Sequence, residues 1–377
     1  MKSNSRRETM LSRFRNYLRA KLYQSRSQAA SNSVSRRINA IEYAARAAKE
    51  IGIFADQTEV HDLPDIFHYW SNKYLRPQLE QFGFSNPDDF FVQYLKRSCA
   101  DAASIPVRIA SLGSGNGDTE VRIAKKLIDQ GVHDFTIDCV DHNPDMLERA
   151  KSLARGAGLE SHISPILGDF NTWQPAHRYH AIMANQSLHH VVELETLFDA
   201  IKSSLHPDGR FITSDMIGRN GHMRWPEALE IVQEYWRELP EEYRWNVQLR
   251  RHEKRFENWD CSVASFEGIR AQDILPLLTQ KFDFELFIGY GNIIDPFIDR
   301  SFGPHFDAES DQDRQFIDRV HARDEKEIRA GNITPTHIMA VLRNKPYTGK
   351  SQYVDHLTPE FCLRDPDASD LDQTQQT

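Results

Sequence analysis

A chain of 377 residues with 40% hydrophobic and 27% charged side chains has the composition of a globular protein, long enough for one large domain with additions. Its net charge of -9 opposes binding to a phosphate backbone, and no apolar run approaches the length of a membrane span. The four cysteines, Cys99, Cys139, Cys261 and Cys362, lack C-x-x-C spacing, so they predict no zinc site and read as a reducing, cytoplasmic compartment.

The charge is unevenly spread. Met1 to Lys49 carries twelve Lys or Arg against Glu8 and Glu42, which makes residues 1–35 a basic arm expected to be flexible. Met10, Leu11, Phe14, Leu18 and Leu22 repeat at helical spacing, so the arm could rest on an anionic membrane or a partner; a solvated tail is the plainer reading. Its Arg- and Ser-rich composition also resembles a transit peptide. Ser25 to Ser35 reads as a linker. Ile38 to Ile51 predicts a helix with Ile41, Ala45, Ala48 and Ile51 on one face. Residues 36–104 are expected to form a helical lid region. Its aromatics at helical spacing read first as core, with Tyr69, Trp70 and Tyr74 as candidate substrate contacts.

Val107, Ile109, Ala110 and Leu112 give the dense apolar run of a strand covered on both faces. Gly113, Gly115 and Gly117 come next, with Ser114 between the first two, and then a helix with Val121, Ala124, Leu127 and Ile128 on one face. Such a turn lets the backbone approach a ligand while the helix amides face the same spot. The spacing is G-x-G-x-G rather than the dinucleotide G-x-G-x-x-G. A second strand, Phe135 to Val140, ends on Asp141 and His142, where a doubly wound sheet presents an acidic side chain to ribose hydroxyls. Asn143 and Pro144 start the next helix. A third strand, Ile163 to Leu167, leads to Asp169 and Phe170. A fourth, Ala181 to Ala184, ends in Asn185, Gln186, Ser187, Leu188, His189 and His190.

After a helix from Val192 and a turn at His206 to Gly209, a fifth strand from Arg210 delivers Asp215. Ile217 to Lys281 reads as mainly helical, and Arg219, His222, Arg224 and Trp225 form a polar and aromatic loop placed to touch substrate. The basic run from Arg244 to Arg255, interleaved with Glu253, reads as a solvated helix face. Phe282 to Ile288 and Thr336 to Leu342 are two further strands, enclosing an insertion with a charged helix from about Asp311 to Arg329. Residues 344–377 are polar and acidic, expected as a disordered tail.

Four such strand ends in this order resemble the class I S-adenosylmethionine-dependent methyltransferases, from about Pro106 to Met216 and again at Thr336 to Leu342. The resemblance implies an α/β fold: a doubly wound, mostly parallel seven-stranded sheet ending in an antiparallel hairpin. It would occupy 105–343, with helical insertions at about 217–280 and 290–335. It implies S-adenosyl-L-methionine as cofactor. Gly113, Ser114, Gly115 and Gly117 would line its methionine and ribose, Asp141 with His142 the ribose, Asp169 and Phe170 the adenine, and Asn185 the methyl-donor face. Where the family has a carboxylate two residues before the first glycine, this chain has Ser111, which leaves the partner of the methionine ammonium open.

Methyl transfer from a sulfonium is an in-line displacement, so the protein must align the nucleophile, exclude water and, where needed, remove a proton. His189 and His190 come directly after the fourth strand, and either could accept that proton or orient the acceptor. Adjacent residues point apart, so one of them is expected to face the pocket, and the family register favours His190; packing of the helix start is the structural alternative. No clustered Asp-Asp-Asn pattern marks a catechol-type metal site, and no metal is expected. The leading function is methylation of a small molecule, on oxygen, with an anionic or sugar-like acceptor. The alternatives are a methyltransferase on nucleic acid or protein, disfavoured by the missing N-P-P-Y motif and the acidic body, and a non-catalytic cofactor-binding protein.

Overall fold

The computed structural model of the protein describes residues 40–54, 63–102, 106–263 and 265–364. The basic arm and the linker read at Ser25 to Ser35 lie outside the described residues.

Five parallel strands carry the first half: β1 (Val107–Leu112), β2 (Phe135–Asp141), β3 (Ile163–Leu167), β4 (Tyr179–Asn185) and β5 (Leu205–Met216). Three more, β8 (Phe282–Tyr290), β9 (His337–Asn344) and β10 (Gln352–Tyr353), complete one sheet in the order β10-β8-β9-β5-β4-β1-β2-β3. β9 runs antiparallel to both β5 and β8, as the resemblance implied. The sheet has eight strands rather than seven because β10, from the segment read as a tail, pairs parallel with β8. Central strands are buried on both faces: in β4 every residue but the last is buried, and this explains their continuous apolar runs. Residues 206–209 loop out, since Leu205 pairs with Tyr179 while Arg210 pairs with Ala181.

β1 pairs with β2 on one side and β4 on the other. The strand order therefore reverses beside β1, and in open α/β sheets the crevice outside the carboxyl ends at that reversal receives ligands. The helix α5 (Asp118–Asp129) leaves the glycine turn there, and α6 (Pro144–Gly156) leaves β2. Asn143 caps α6 by accepting from the amides of Asp145 and Met146 at 3.0 and 3.4 Å.

Before the sheet lie α1 (Ala40–Phe54), α2 (Asp65–Trp70), α3 (Arg76–Glu80) and α4 (Pro87–Asp101). α7 (Leu194–Ser204) comes after β4. Ile217 to Lys281 is less helical than its composition suggests: α8 (Pro226–Glu238) and α9 (Ala271–Lys281) are separated by turns and by a small hairpin of β6 (Trp245–Asn246) and β7 (Arg251–His252). The basic run expected on a helix face sits on that hairpin, where Arg251 pairs with Glu253 and Glu257 at 3.2 and 2.6 Å. Trp236 of α8 is fully buried against Phe256, Phe297 and Phe302, an aromatic cluster that joins α8 to the insertion.

The insertion contains α10 (Asp295–Ile298) and α11 (Asp311–Ala330). α11 is where Tyr69, Trp70 and Tyr74 go. Tyr69 and Tyr74 donate to Asp318 at 2.9 and 2.6 Å, and the Trp70 indole donates to His321 at 3.2 Å. Their polar tips thus join two helices, a packing role in place of the expected substrate contact. The expected disordered tail is also corrected as far as residue 364: Leu357, Cys362 and Leu363 are buried, and the Arg364 guanidinium lies 3.9 Å from the Trp225 ring centroid while pairing with Glu227. Residues 365–377 lie outside the described residues. Among the described residues no helix is long and apolar enough to cross a membrane.

Candidate active site

The turn after β1 takes the left-handed backbone that its glycines predict, with φ of 72°, 54° and 72° at Gly113, Gly115 and Gly117. The three glycines are needed for different reasons. A Cβ on Gly113 would stand 2.5 Å from the Ser187 Cβ, and one on Gly117 would stand 2.6 Å from the Ala150 Cβ. A Cβ on Gly115 would meet nothing nearer than the Met146 sulfur at 3.7 Å. Gly113 and Gly117 thus serve packing, and Gly115 keeps open space beside the turn.

Asp141, at the end of β2, is buried and holds the turn from below. It accepts from the amide of Gly115 at 2.9 Å and from that of Asn143 at 2.8 Å. His142 next to it stands edge-on to Phe170, with ring centroids 6.0 Å apart. At the end of β3, Asp169 accepts from the Asn171 amide at 2.8 Å and from the Tyr43 hydroxyl at 2.6 Å.

Ser111 has a partner that the sequence did not single out. Its hydroxyl donates to the Glu120 carboxylate at 2.7 Å, and both residues are buried. Burial pushes the Glu120 carboxyl up to about 7, against the opposing hydrogen bond from Ser111. The other Glu120 oxygen, Oε2, and the Ser114 hydroxyl are buried without a hydrogen-bond partner among the described residues. Two orphaned polar atoms beside a glycine turn are what a polar ligand headgroup would satisfy, and in that respect these residues fit the methionine end of the implied cofactor.

The second half of the site is the turn after β4. Gln186 has φ 53°, strained for a residue other than glycine, and the buried Asp215 of β5 fixes the three residues after it. Asp215 accepts from the amides of Ser187 and Leu188 at 2.9 and 2.7 Å, and from His189 Nδ1 at 2.7 Å. The ionised carboxylate only accepts, so His189 Nδ1 carries a proton and Nε2 faces the other way. It faces Glu267, at 3.4 Å. His190 Nε2 lies 3.3 Å from the second Glu267 oxygen, and His222 Nε2 lies 2.7 Å from the first. Burial works against charge on His189, but Asp215 and Glu267 outweigh it and push its pKa up to about 10. Although burial opposes it, both carboxylates are held below their usual range by their histidine partners. His222 is lowered, by burial first, with Glu267 opposing and His189 adding to the effect.

The two halves touch. Ser187 Oγ donates to the Leu112 carbonyl at 2.7 Å, tying the histidine turn to the glycine turn. Asn185, half-buried, ends β4 between them. α1 spans both halves: Tyr43 bonds Asp169, and the buried Arg46 donates to the carbonyls of Ser262 and Ser265 at 2.7 and 2.6 Å, just before Glu267.

Of the loop expected to meet substrate, the structure brings only His222 into this cluster. Arg224 is buried against Asp295 at 2.7 Å, Trp225 lies under Arg364, and Arg219 stacks over Trp225 with its guanidinium 5.1 Å from the centroid. Glu120, Tyr43, Arg46, Asp215 and Glu267 complete the site. Of these only Asp215 is read from the sequence, at the end of the fifth strand; the other four carry no local pattern that singles them out.

A doubly wound sheet with an antiparallel end, a glycine turn at the reversal and acidic residues closing β2 and β3 together define a Rossmann-like, nucleotide-type domain. Residues 109–209 match the family model described as Methyltransferase domain. The chain thus carries a class I, S-adenosylmethionine-dependent methyltransferase domain. No curated protein matches the chain in sequence. Similar solved structures include a provisionally assigned sarcosine dimethylglycine methyltransferase from Galdieria sulphuraria, at 15% identity and TM-score 0.41, covering 71% of this chain and 86% of that one. Another is a geranyl diphosphate C-methyltransferase from Streptomyces coelicolor A3(2), at 9% identity and TM-score 0.41, covering 79% and 98%. A third is the StiE O-MT segment, at 12% identity and TM-score 0.39, covering 73% and 82%.

Proposed function

We propose that the protein methylates a small-molecule hydroxyl in the crevice between the β1 and β4 turns. The observation that carries this reading is the contact between those turns, Ser187 Oγ on the Leu112 carbonyl, which sets a cofactor-type glycine turn against a histidine and carboxylate cluster. S-adenosylmethionine, when bound, supplies the electrophilic methyl group. The chain's own residues do the rest. Asp141 and the Gly115 amide form the ribose side, Asp169 and Phe170 the adenine side, and Glu120 replaces the carboxylate that the family places at Ser111. A buried carboxylate with one free oxygen is a fit partner for an ammonium, and the pair neutralises charge that burial otherwise disfavours.

On the acceptor side, Asp215 orients the histidine turn and His190 receives the hydroxyl proton as the nucleophile attacks. α1, bonded to both halves through Tyr43 and Arg46, excludes water over the crevice. Four free cysteines accord with a reducing, cytoplasmic setting. Calorimetry with S-adenosylmethionine, and then turnover against a panel of hydroxylated and carboxylated small molecules, tests this reading. Cofactor binding with methyl transfer to a hydroxyl is the expected result; binding without transfer to any acceptor of either class would leave a cofactor-binding protein and overturn it.

A further inference from the structure

We infer that His189, His222 and Glu267 form a site for one divalent transition-metal ion on the acceptor side of the crevice. One ligand atom from each residue lies within 4.8 Å of the other two. Two imidazoles and one carboxylate suit zinc and its neighbours, and three protein ligands with an open position is the arrangement of reactive rather than structural zinc sites. The open side is present here, since the Glu267 side chain is 38% exposed while His189 is buried.

Three further observations separate this from an ordinary hydrogen-bonded cluster. The first is distance. His189 Nε2 and His190 Nε2 stand 3.4 and 3.3 Å from the Glu267 oxygens, longer than the roughly 2.7–2.9 Å of a charge-assisted hydrogen bond. For His189 and Glu267 this is the separation of roughly 3.4 Å between two ligands about 2.1 Å from a tetrahedral centre; His190 is not one of the three, and the His222 contact at 2.7 Å has hydrogen-bond length and must lengthen when an ion enters. The second is orientation. Histidines that bind metal hold the other ring nitrogen against a carboxylate or carbonyl, and His189 does so with Asp215 at 2.7 Å; an entering ion displaces the Nε2 proton that faces Glu267, and the proton is released to solvent. The third is backbone. His222 has φ 56°, in the left-handed region that a residue other than glycine occupies at a cost. Gly221 before it also has positive φ, and a Cβ there would stand 1.9 Å from an Asp260 oxygen. The chain is thus locally strained to aim one imidazole at Glu267.

The ligands come from three separated segments, and so local spacing predicted no metal. An ion here would polarise an oxygen of the acceptor, which deepens the proposed function and rests on it only for that role. The matching acceptor class is a hydroxyl with a neighbouring oxygen able to share the ion.

The full-length protein, stripped with a chelator and titrated with zinc chloride in the absence of S-adenosylmethionine, should take up one equivalent per chain by calorimetry and elemental analysis. His222→Ala and Glu267→Gln should weaken uptake by on the order of 100-fold, and Asp215→Asn, acting through His189, by about 10- to 100-fold. Because Asp215 also supports the fold, His222→Cys provides a second arm: a thiolate should restore uptake that His222→Ala loses. Substoichiometric uptake by the wild type, or uptake by His222→Ala and Glu267→Gln equal to that of the wild type, would overturn the site. A chain that binds zinc but not S-adenosylmethionine would refute the proposed function and leave the metal site standing; the converse result refutes the metal site alone.

Discussion

The Ser111 hydroxyl donates to the Glu120 carboxylate at 2.7 Å, joining the end of β1 to the first turn of α5 inside the protein. Burial raises the Glu120 carboxyl from an ordinary 4.5 to about 7, so the unfolded chain ionises it before the folded one does. The native state is therefore progressively penalised as pH rises from 4.5 through about 7, by up to about 3 kcal/mol once both states are ionised. Glu120→Gln removes that penalty. Urea unfolding should show the variant gaining stability relative to wild type at pH 8 and much less at pH 5. If Glu120 receives the methionine ammonium, the same variant should bind S-adenosylmethionine roughly 10- to 100-fold more weakly. A pH-independent stability difference contradicts the burial argument, and unchanged affinity contradicts the ammonium role.

The three glycines of the turn should fail in different ways. Gly113→Ala and Gly117→Ala each place a methyl within 2.6 Å of a neighbouring Cβ, and overpacking of this kind costs about 1–3 kcal/mol. Both should lower the melting temperature. Gly115→Ala has room for its methyl and carries only the strain of the left-handed backbone, about 1–2 kcal/mol, yet it fills space beside the turn. It should therefore fold and lose cofactor affinity. Differential scanning fluorimetry with and without S-adenosylmethionine distinguishes the two behaviours, and normal cofactor binding by Gly115→Ala would mean that the ligand does not approach there.

Asp141 is expected to act on the cofactor and on the turn together, because its two oxygens already accept from Gly115 and Asn143. Asp141→Ala should weaken S-adenosylmethionine binding by about 1–3 kcal/mol. Titration of the folded variant checks this, and unchanged affinity would remove Asp141 from the site.

The sheet and its strand ends were legible because they are local: an apolar run, a turn residue and a cap lie within a few positions of one another. Asp141, Asp169 and the histidine pair fall at strand ends for that reason. What the sequence concealed was assembled across distance or decided by burial. Glu120 reads as a carboxylate favouring a helix start, and only packing shows that it is buried against Ser111. Glu267 sits among turns whose composition suggested helix. Tyr69, Trp70 and Tyr74 have the periodicity of a lid, but their partners, Asp318 and His321, belong to an insertion far along the chain. The polar segment after β9 has few apolar residues, and as far as residue 364 Val354, Leu357, Cys362 and Leu363 are buried and anchor it.

The cover over the crevice gives a contrast within the N-terminal region. Arg46 donates to three carbonyls, those of Ser262, Val263 and Ser265, and is buried while doing so. Removing its side chain leaves those carbonyls unpaired and frees the segment that carries Glu267. Arg46→Ala should raise the acceptor KM and lower kcat by about 10-fold or more. Deleting residues 1–35, which precede α1, should leave solution turnover within a few-fold. Loss of activity on that deletion, with the fold intact by circular dichroism, would give the arm a part in closing the site.

The two histidines after β4 are neighbours in sequence but are held differently. His189 is buried between Asp215 and Glu267, whereas His190 meets Glu267 from the outer side, at 3.3 Å. His190→Ala should thus remove the group that receives the acceptor proton and lower turnover about 10²- to 10⁴-fold, while leaving S-adenosylmethionine affinity and zinc uptake close to wild type. His189→Ala should lower turnover as well, but with loss of zinc uptake, since it removes a ligand rather than a proton acceptor. Asp215→Asn should behave like His189→Ala and not like His190→Ala, because its carboxylate sets which His189 nitrogen carries the proton. Three variants measured by turnover, zinc uptake and cofactor titration therefore separate the roles. If His190→Ala loses zinc and His189→Ala keeps it, the two assignments are reversed; if neither changes turnover, the acceptor is aligned without help from this turn, and proton removal is no part of the reaction.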